Sequence, residues 1–314
     1  LGYPGPVPAG QEGSNVHLRR LRLQALRYTV WPPLWDVEVT TVALVGHDFE
    51  MTDCDIVSAG SPLVLFGGRH SRISGNHLGL GRGGWCYLGG LEELVFGGNT
   101  IEGRDLLSSA GIGVQGKAYR LYFAGNHTSS VYGYNREGLT FDTPYMPTWM
   151  GRVGAVQGNT ITTRDYAGAE KLWTPGQLKG QRCLIAYGTG LGQCLKIVDN
   201  TASTLTLEHP WAITPDATSH LVVRVDKSDV VIANNTYADN SVAIQLYAQC
   251  YGFIMDGNRS ERTGGTYANG WDGVTPRGRR YSTAFFDPWL NNYLSEGYLY
   301  ERGFLQGFLT GVLG

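Results

Sequence analysis

The stretch YNREGLTFD, residues 134–142, concentrates residue types that could take part in acid–base chemistry. Glu137 and Asp142 supply two carboxylates, and Arg136 supplies a cation that favours the ionised form of a carboxylate near it. Two carboxylates, one protonated and one ionised, are what the cleavage of a glycosidic bond requires. The alternative is that these charges pair with one another on a solvated surface. The choice between the two depends on the elements that position them.

The composition indicates a turn-rich β protein with no electrostatic preference for nucleic acid. Glycine accounts for 45 of the 314 residues and charged residues for 17%, and this glycine share is about twice the usual one. The net charge of −2 gives no reason to expect nucleic acid or an anionic membrane as a partner. No run of about 18 apolar residues predicts a membrane span. The chain begins at Leu1 and ends in FLQGFLTGVLG, in mid-pattern, so we expect it to be part of a longer product.

The five cysteines show no pattern that would assign them a role. Cys54, Cys86, Cys183, Cys194 and Cys250 are odd in number and irregularly spaced, which fits neither a disulfide framework nor a zinc site. We expect small buried side chains, with Cys183 and Cys194 facing each other across a hairpin as the alternative. The scattered histidines predict no metal site, and no cofactor is expected.

An asparagine-containing turn recurs along the chain. The turns are SGNHL at Asn76, GGNTI at Asn99, AGNHT at Asn126, QGNTI at Asn159, ANNTY at Asn235 and DGNRS at Asn258. Asp53 fits one step earlier. Asparagine tolerates the left-handed backbone conformation of a turn, and stacked amides can hydrogen-bond along a ladder.

This repeat predicts an all-β fold, a right-handed parallel β-helix of about eight coils. Short β-rich runs with no helical period precede each turn, which excludes βαβ units. The step of 23 residues from Asn76 to Asn99 is typical of one coil, and coils stack about 4.8 Å apart. We assign residues 1–162 to the N-terminal coils, 163–220 to a small inserted antiparallel β subdomain and 221–314 to the C-terminal coils.

Counting back from each turn asparagine predicts which side chains share one face. The inward row is Val64, Tyr87, Val114, Val223 and Leu246. Aligning GLTFD with GIGVQ adds Phe141 to this row. The outward row is Leu65, Leu88, Gln115, Asp142, Arg224, Tyr247 and Asp287. This register would place Asp142 beside Arg224 in a groove with aromatic rings, which suits a sugar chain.

The candidate site residues follow from this groove. The catalytic candidates are Asp142, Glu137 and Asp165. The substrate-binding candidates are Arg136, Gln115, Arg224, Tyr247, Tyr134, Trp149, Trp271, Asp287 and Trp289.

Three segments carry a resemblance to a known group of proteins. They are YNREGLTFD (134–142), GLGQCLKIVDNTASTLTLEHPWAITPDATS (190–219) and IQLYAQCYGFIMDGNRSERTGG (244–265). With the predicted coils, the chain resembles the pectate-lyase-like superfamily, and more narrowly a bacterial group of β-helix-repeat proteins. The resemblance covers about half the chain and implies the fold. The superfamily's characterised members are mostly polysaccharide lyases and glycoside hydrolases, but their best-known local signatures are absent here.

Three functions remain open from the sequence. The first is a glycoside hydrolase acting on a polysaccharide or oligosaccharide through a carboxylate pair. The second is a polysaccharide lyase, in which Arg224 or Arg136 would neutralise a uronate carboxylate and Tyr247 would be the base. The third is a non-catalytic carbohydrate-binding or structural β-helix. With a carbohydrate partner, we expect a secreted or cell-envelope protein.

Overall fold

The structure is a computed structural model in which the chain forms strands and turns. It describes residues 12–26, 39–133, 136–142, 149–165, 168–224, 227–247, 250–269, 272–274, 280–282 and 290–294. These residues contain no helix, so none of the described segments could cross a membrane as one.

The strands ahead of the insertion are short and follow one another closely. They are β1 (Gly13–Ser14), β2 (His17–Arg19), β3 (Arg22–Ala25), β4 (Thr40–His47), β5 (Glu50–Thr52), β6 (Asp55–Ser58), β7 (Ser61–Arg69), β8 (Arg72–Ser74), β9 (His77–Leu80), β10 (Cys86–Glu92), β11 (Val95–Gly97), β12 (Thr100–Gly103), β13 (Ile112–Ala124), β14 (His127–Ser129) and β15 (Glu137–Asp142).

The remaining strands form an antiparallel unit and then return to the first pattern. The antiparallel strands are β16 (Trp149–Gln157), β17 (Thr160–Arg164), β18 (Arg182–Tyr187), β19 (Cys194–Asn200), β20 (Thr204–Leu207) and β21 (His220–Arg224). They are followed by β22 (Lys227–Ala233), β23 (Thr236–Ala238), β24 (Val242–Tyr247), β25 (Cys250–Glu261), β26 (Thr266–Asn269), β27 (Asp272–Val274), β28 (Arg280–Ser282) and β29 (Leu290–Leu294).

Strands separated by one repeat pair in parallel and join into one large sheet. One ladder runs through β4, β7, β10, β13, β15, β24 and β26. A second runs through β5, β8, β11, β13, β22 and β25. Their buried aliphatic and aromatic side chains form one continuous core. This order is compatible with the predicted β-helix, because each strand bonds to its counterparts in the coils on either side.

An asparagine ladder ties the coils together. In each step the side-chain amide of one asparagine donates to Oδ1 of the next, at 2.9–3.0 Å. The order is Asn76, Asn99, Asn126, Asn235 and Asn258. Each of these asparagines is at most 3% exposed. The left-handed residue is the one before each asparagine, a glycine in most coils and Asn234 in one. At the N-terminal end of the ladder, Oδ1 of Asn76 accepts from the backbone N–H of Cys54. Cys54 therefore occupies the ladder position that was predicted for Asp53, and the prediction is wrong by one residue.

The inserted unit is a closed antiparallel barrel. Its order is β16, β17, β20, β19, β18 and β21, and β21 pairs again with β16. It has its own apolar core, including Trp173, Trp211 and Ile197. Its strands span Trp149–Arg224, so they begin before the predicted start of the insertion at 163 and end after its predicted end at 220.

Two predictions that assigned barrel residues to the parallel coils are wrong. Asn159 lies in the hairpin turn between β16 and β17 and donates to the carbonyl of Leu207 at 2.9 Å. It takes no part in the asparagine ladder. Val223 and Arg224 lie in β21, where Arg224 pairs with Arg182 of β18, so neither belongs to the predicted rows.

The predicted register is also wrong at the first coils. Leu65 and Leu88 are 0% exposed and stack with Val114 and Phe141 in the core. Tyr87 pairs with Gly113 instead of Val114, so it lies on the opposite face of the sheet from that core. Gln115 pairs with Asp142, as predicted.

All five cysteines are buried, as expected from the sequence. Cys183 pairs with Leu195, and Cys194 pairs with Leu184. Cys183 belongs to the barrel core, whereas Cys194 belongs to a small cluster with Leu184. The two thiols therefore lie on opposite faces of the barrel wall.

Candidate functional site

The outward face of the first ladder brings polar and aromatic residues from distant parts of the chain together. We call it the outer surface, and it comprises the residues that alternate with core residues in the segments 64–66, 85–89, 113–115, 140–142 and 245–247. Its members with described side chains are Val64, Phe66, Trp85, Tyr87, Gly89, Gly113, Gln115, Thr140 and Gln245. Alternation places them here because their strand neighbours fill the core.

Three aromatic rings occupy one end of the outer surface. Trp85 and Tyr87 meet edge to face with ring centroids 5.0 Å apart, and Tyr87 and Phe66 are 4.9 Å apart. Trp85 and Phe66 are partly exposed, whereas Tyr87 is 7% exposed. We call this set the aromatic cluster.

Two glycines make room for these rings. A Cβ atom on Gly113 would lie 2.6 Å from Cε3 of Trp85, and one on Gly89 would lie 3.0 Å from both Phe66 and Tyr87. Any larger residue at Gly113 would push the indole away from the sheet. The two glycines therefore let the rings of the aromatic cluster lie close to the sheet.

Amide and hydroxyl groups occupy the other end. Gln115 is 8% exposed and Thr140 is 3% exposed, so this end is recessed beneath neighbouring groups. Gln245 is partly exposed and pairs with Thr140. For Asp142 and Tyr247 the structure describes the backbone, which places Asp142 opposite Gln115 and Tyr247 at the end of the neighbouring strand.

The outer surface is uncharged where its side chains are described. Its members are aliphatic, aromatic, amide or hydroxyl residues and glycines. Arg224, which the sequence analysis placed beside Asp142, lies in the barrel. The predicted pairing of Asp142 with Arg224 in one row is therefore wrong.

The three predicted catalytic carboxylates belong to two elements of the fold, β15 and the segment that follows β17 in the barrel. Glu137 and Asp142 are the first and last residues of β15, which separates their Cα atoms by about 16 Å. Glu137 is 9% exposed and alternates in step with the core residues Leu139 and Phe141. Asp165 follows β17 in the barrel and accepts a hydrogen bond from the N–H of Ala169 at 2.9 Å.

The other predicted binding residues are dispersed. Arg136 is exposed in a left-handed turn before β15. Trp149 begins the barrel strand β16 and packs edge to face on Trp173 at 5.4 Å. Tyr134, Trp271, Asp287 and Trp289 lie outside the described residues.

A row of charged residues follows one corner of the coils. His70 lies between Asp48 and Glu93, with nitrogen–oxygen distances of 3.5 and 2.6 Å, and Arg120 pairs with Glu93 at 2.8 Å. The hydrogen bond from His47 lowers the pKa of Asp48. The contacts of His70 and Arg120 join neighbouring coils at the exposed surface, and no cluster suited to a metal ion occurs among the described residues.

Sequence reasoning missed the aromatic cluster. The signal for it was present in GGWCYLGG (83–90), where aromatic residues stand among glycines on a strand. Glycine within a strand often marks close approach by another group. Here that group is an aromatic ring from the neighbouring coil.

Comparisons with known proteins leave the chain unassigned. No family model matches it, and no curated protein matches it.

Proposed function

We propose that this chain is a right-handed parallel β-helix protein of the pectate-lyase-like type that binds a polysaccharide or oligosaccharide on its outer surface. The observation that supports this most directly is the combination of the aromatic cluster with Gln115 and Thr140 on one ladder. A carbohydrate partner is in keeping with a secreted or cell-envelope location.

The outer surface has groups suited both to the apolar C–H face of a sugar and to its hydroxyl groups. Aromatic rings supply a large apolar area with a defined plane, on which the C–H face of a pyranose can lie. Gln115 has both donors and an acceptor, and the partly exposed Gln245 offers the same groups. Binding sites commonly combine an apolar lining with a few polar groups that fix orientation.

Binding is tested by titrating the purified protein with neutral and acidic oligosaccharides in a calorimeter. We expect saturable binding of at least one oligosaccharide, weakened by Gln115→Ala. Gln157→Ala is the matched control, because Gln157 is exposed on the barrel strand β16. Equal affinity in both variants would remove Gln115 from the site, and no binding of any oligosaccharide would contradict the proposal.

Glycoside hydrolysis is the second candidate, favoured by the backbone position of Asp142 opposite Gln115 at the polar end. Its test is the release of reducing sugar from a bound oligosaccharide by the wild type and by Asp142→Asn. Loss of turnover with unchanged binding would support a catalytic role for Asp142. Absence of turnover in the wild type would leave binding alone.

A lyase has less support. β-Elimination from a uronate needs a positive group at the substrate carboxylate, for which Arg224 or Arg136 was expected. Arg224 lies in the barrel, and Arg136 is exposed in the turn before β15.

A further inference from the structure

We infer that the ligand of the outer surface is a neutral, extended oligosaccharide lying along the ladder axis, with one sugar stacked on the aromatic cluster. This inference rests on the proposed function and adds the class of sugar and the direction of its chain.

The aromatic cluster is built for stacking. Phe66 and Trp85 keep part of their rings exposed, while Gly89 and Gly113 let those rings lie close to the sheet. Trp85 is held further by its backbone N–H, which donates to Oγ of Ser61 at 3.4 Å. A ring whose position is fixed in advance loses little side-chain entropy when a sugar binds.

The charge of the outer surface selects a neutral sugar. A polymer of uronates brings one carboxylate per unit, and the desolvation of each must be offset by a cation or several donors. The described members of the outer surface include no Lys or Arg; the exposed Lys117, which follows them on β13, has its Nζ 4.5 Å from the centroid of the Tyr119 ring.

The dimensions of the outer surface select a chain over a single sugar. From β7 to β24 the ladder makes four steps, through β10, β13 and β15, which is about 19 Å at a strand spacing of about 4.8 Å. One step is close to the length of one pyranose unit. A linear oligosaccharide along the axis would therefore meet the aromatic cluster first and Gln115 further on.

The test measures binding of linear neutral oligosaccharides of two to six units, from glucose, xylose and mannose series, and of oligogalacturonate of matched length. We expect a neutral series to bind more tightly than oligogalacturonate, with affinity that rises with chain length. Trp85→Ala and Phe66→Leu should each weaken the binding about tenfold, while Trp85→Tyr retains a ring and most of the affinity.

Tyr122→Ala is the matched control, because Tyr122 is a 46% exposed aromatic residue on the other ladder of β13. Its removal should leave affinity unchanged. Phe66→Leu keeps the apolar volume, and a native circular-dichroism spectrum separates lost stacking from lost folding.

Two results would overturn this inference while leaving carbohydrate binding intact. One is tighter binding of oligogalacturonate than of every neutral series. The other is unchanged affinity in folded Phe66→Leu and Trp85→Ala. Failure of all oligosaccharides to bind would instead contradict the proposed function itself.

Discussion

Replacing Asn126 by alanine should strongly destabilise the protein, because Asn126 bonds to Asn99 in the coil before it and to Asn235 in the coil after the barrel. Its side-chain amide donates to the carbonyl of Phe96 and to Oδ1 of Asn235, each at 2.9 Å. Its own Oδ1 accepts from the backbone N–H and from the side-chain amide of Asn99, each at 3.0 Å.

The magnitude follows from these four hydrogen bonds. Each is worth about 1 kcal/mol net when buried, and a partner left unsatisfied in the core adds to the cost. Asn126→Ala should therefore cost about 4 kcal/mol. The control is Asn159→Ala, because Asn159 lies in a hairpin of the barrel and donates to one carbonyl, that of Leu207. Its loss should cost about 1 kcal/mol.

Urea unfolding followed by far-ultraviolet circular dichroism measures both variants. The midpoint of Asn126→Ala should fall well below that of Asn159→Ala, at similar slopes. If the two variants unfold at the same midpoint, the asparagine ladder does not join the coils across the insertion.

Three further predictions concern other parts of the chain. Replacing residues 143–226 by a short glycine linker should leave the parallel ladder folded, because β13 pairs directly with β22 and β14 with β23; loss of the β-sheet spectrum would contradict this. The native protein should show no thiol that reacts fast with an aromatic disulfide reagent, and the unfolded protein should show five. All five cysteines are buried, and burial raises the pKa of Cys86 and Cys183. A rapid reaction of the native protein would refute this prediction. Arg262 lowers the pKa of Asp239, so Arg262→Gln should raise that pKa in an NMR titration. The stabilisation by this ion pair is present above the unfolded pKa of about 3.9 and is lost as the pH falls through the lower folded value; an unchanged Asp239 pKa in the variant would show that the pair does not form.

The asparagine turns and the core pattern could be predicted from the sequence because they repeat in every coil. The turns at Asn76, Asn99, Asn126, Asn235 and Asn258 all join one ladder. QGNTI at Asn159 closely resembles GGNTI at Asn99, and Gly158 has the same left-handed backbone, with a φ of 60°. It nevertheless forms the hairpin turn between β16 and β17. A glycine–asparagine turn suits both settings, so local sequence does not separate them.

The error in register has a single physical cause. Between β10 and β13 the register shifts after Gly89, and Leu91 pairs with Ala118. The coil of Asn126 therefore contains one more residue between its strand and its turn than the coil of Asn99. Counting back from the asparagine misses this residue, and a slip of one residue exchanges the two faces of a strand. Leu65 and Leu88 were thus placed outside, and the aromatic cluster was overlooked.

The sequence could not assign Arg224 to the barrel, and the reason is different. The strand that holds it, His220–Arg224, has three consecutive apolar residues, Leu221, Val222 and Val223. A short apolar run fits a buried strand in either setting. Only the pairing of β21 with β16 and β18 assigns it to the barrel.

The most direct test of the outer surface as a binding site is a crystal structure of the protein with a neutral oligosaccharide bound. We expect one sugar ring against Trp85 and Phe66, and the chain running along the ladder towards Gln115. An oligosaccharide bound elsewhere, on the barrel or along the charged corner at His70, would contradict the proposed site.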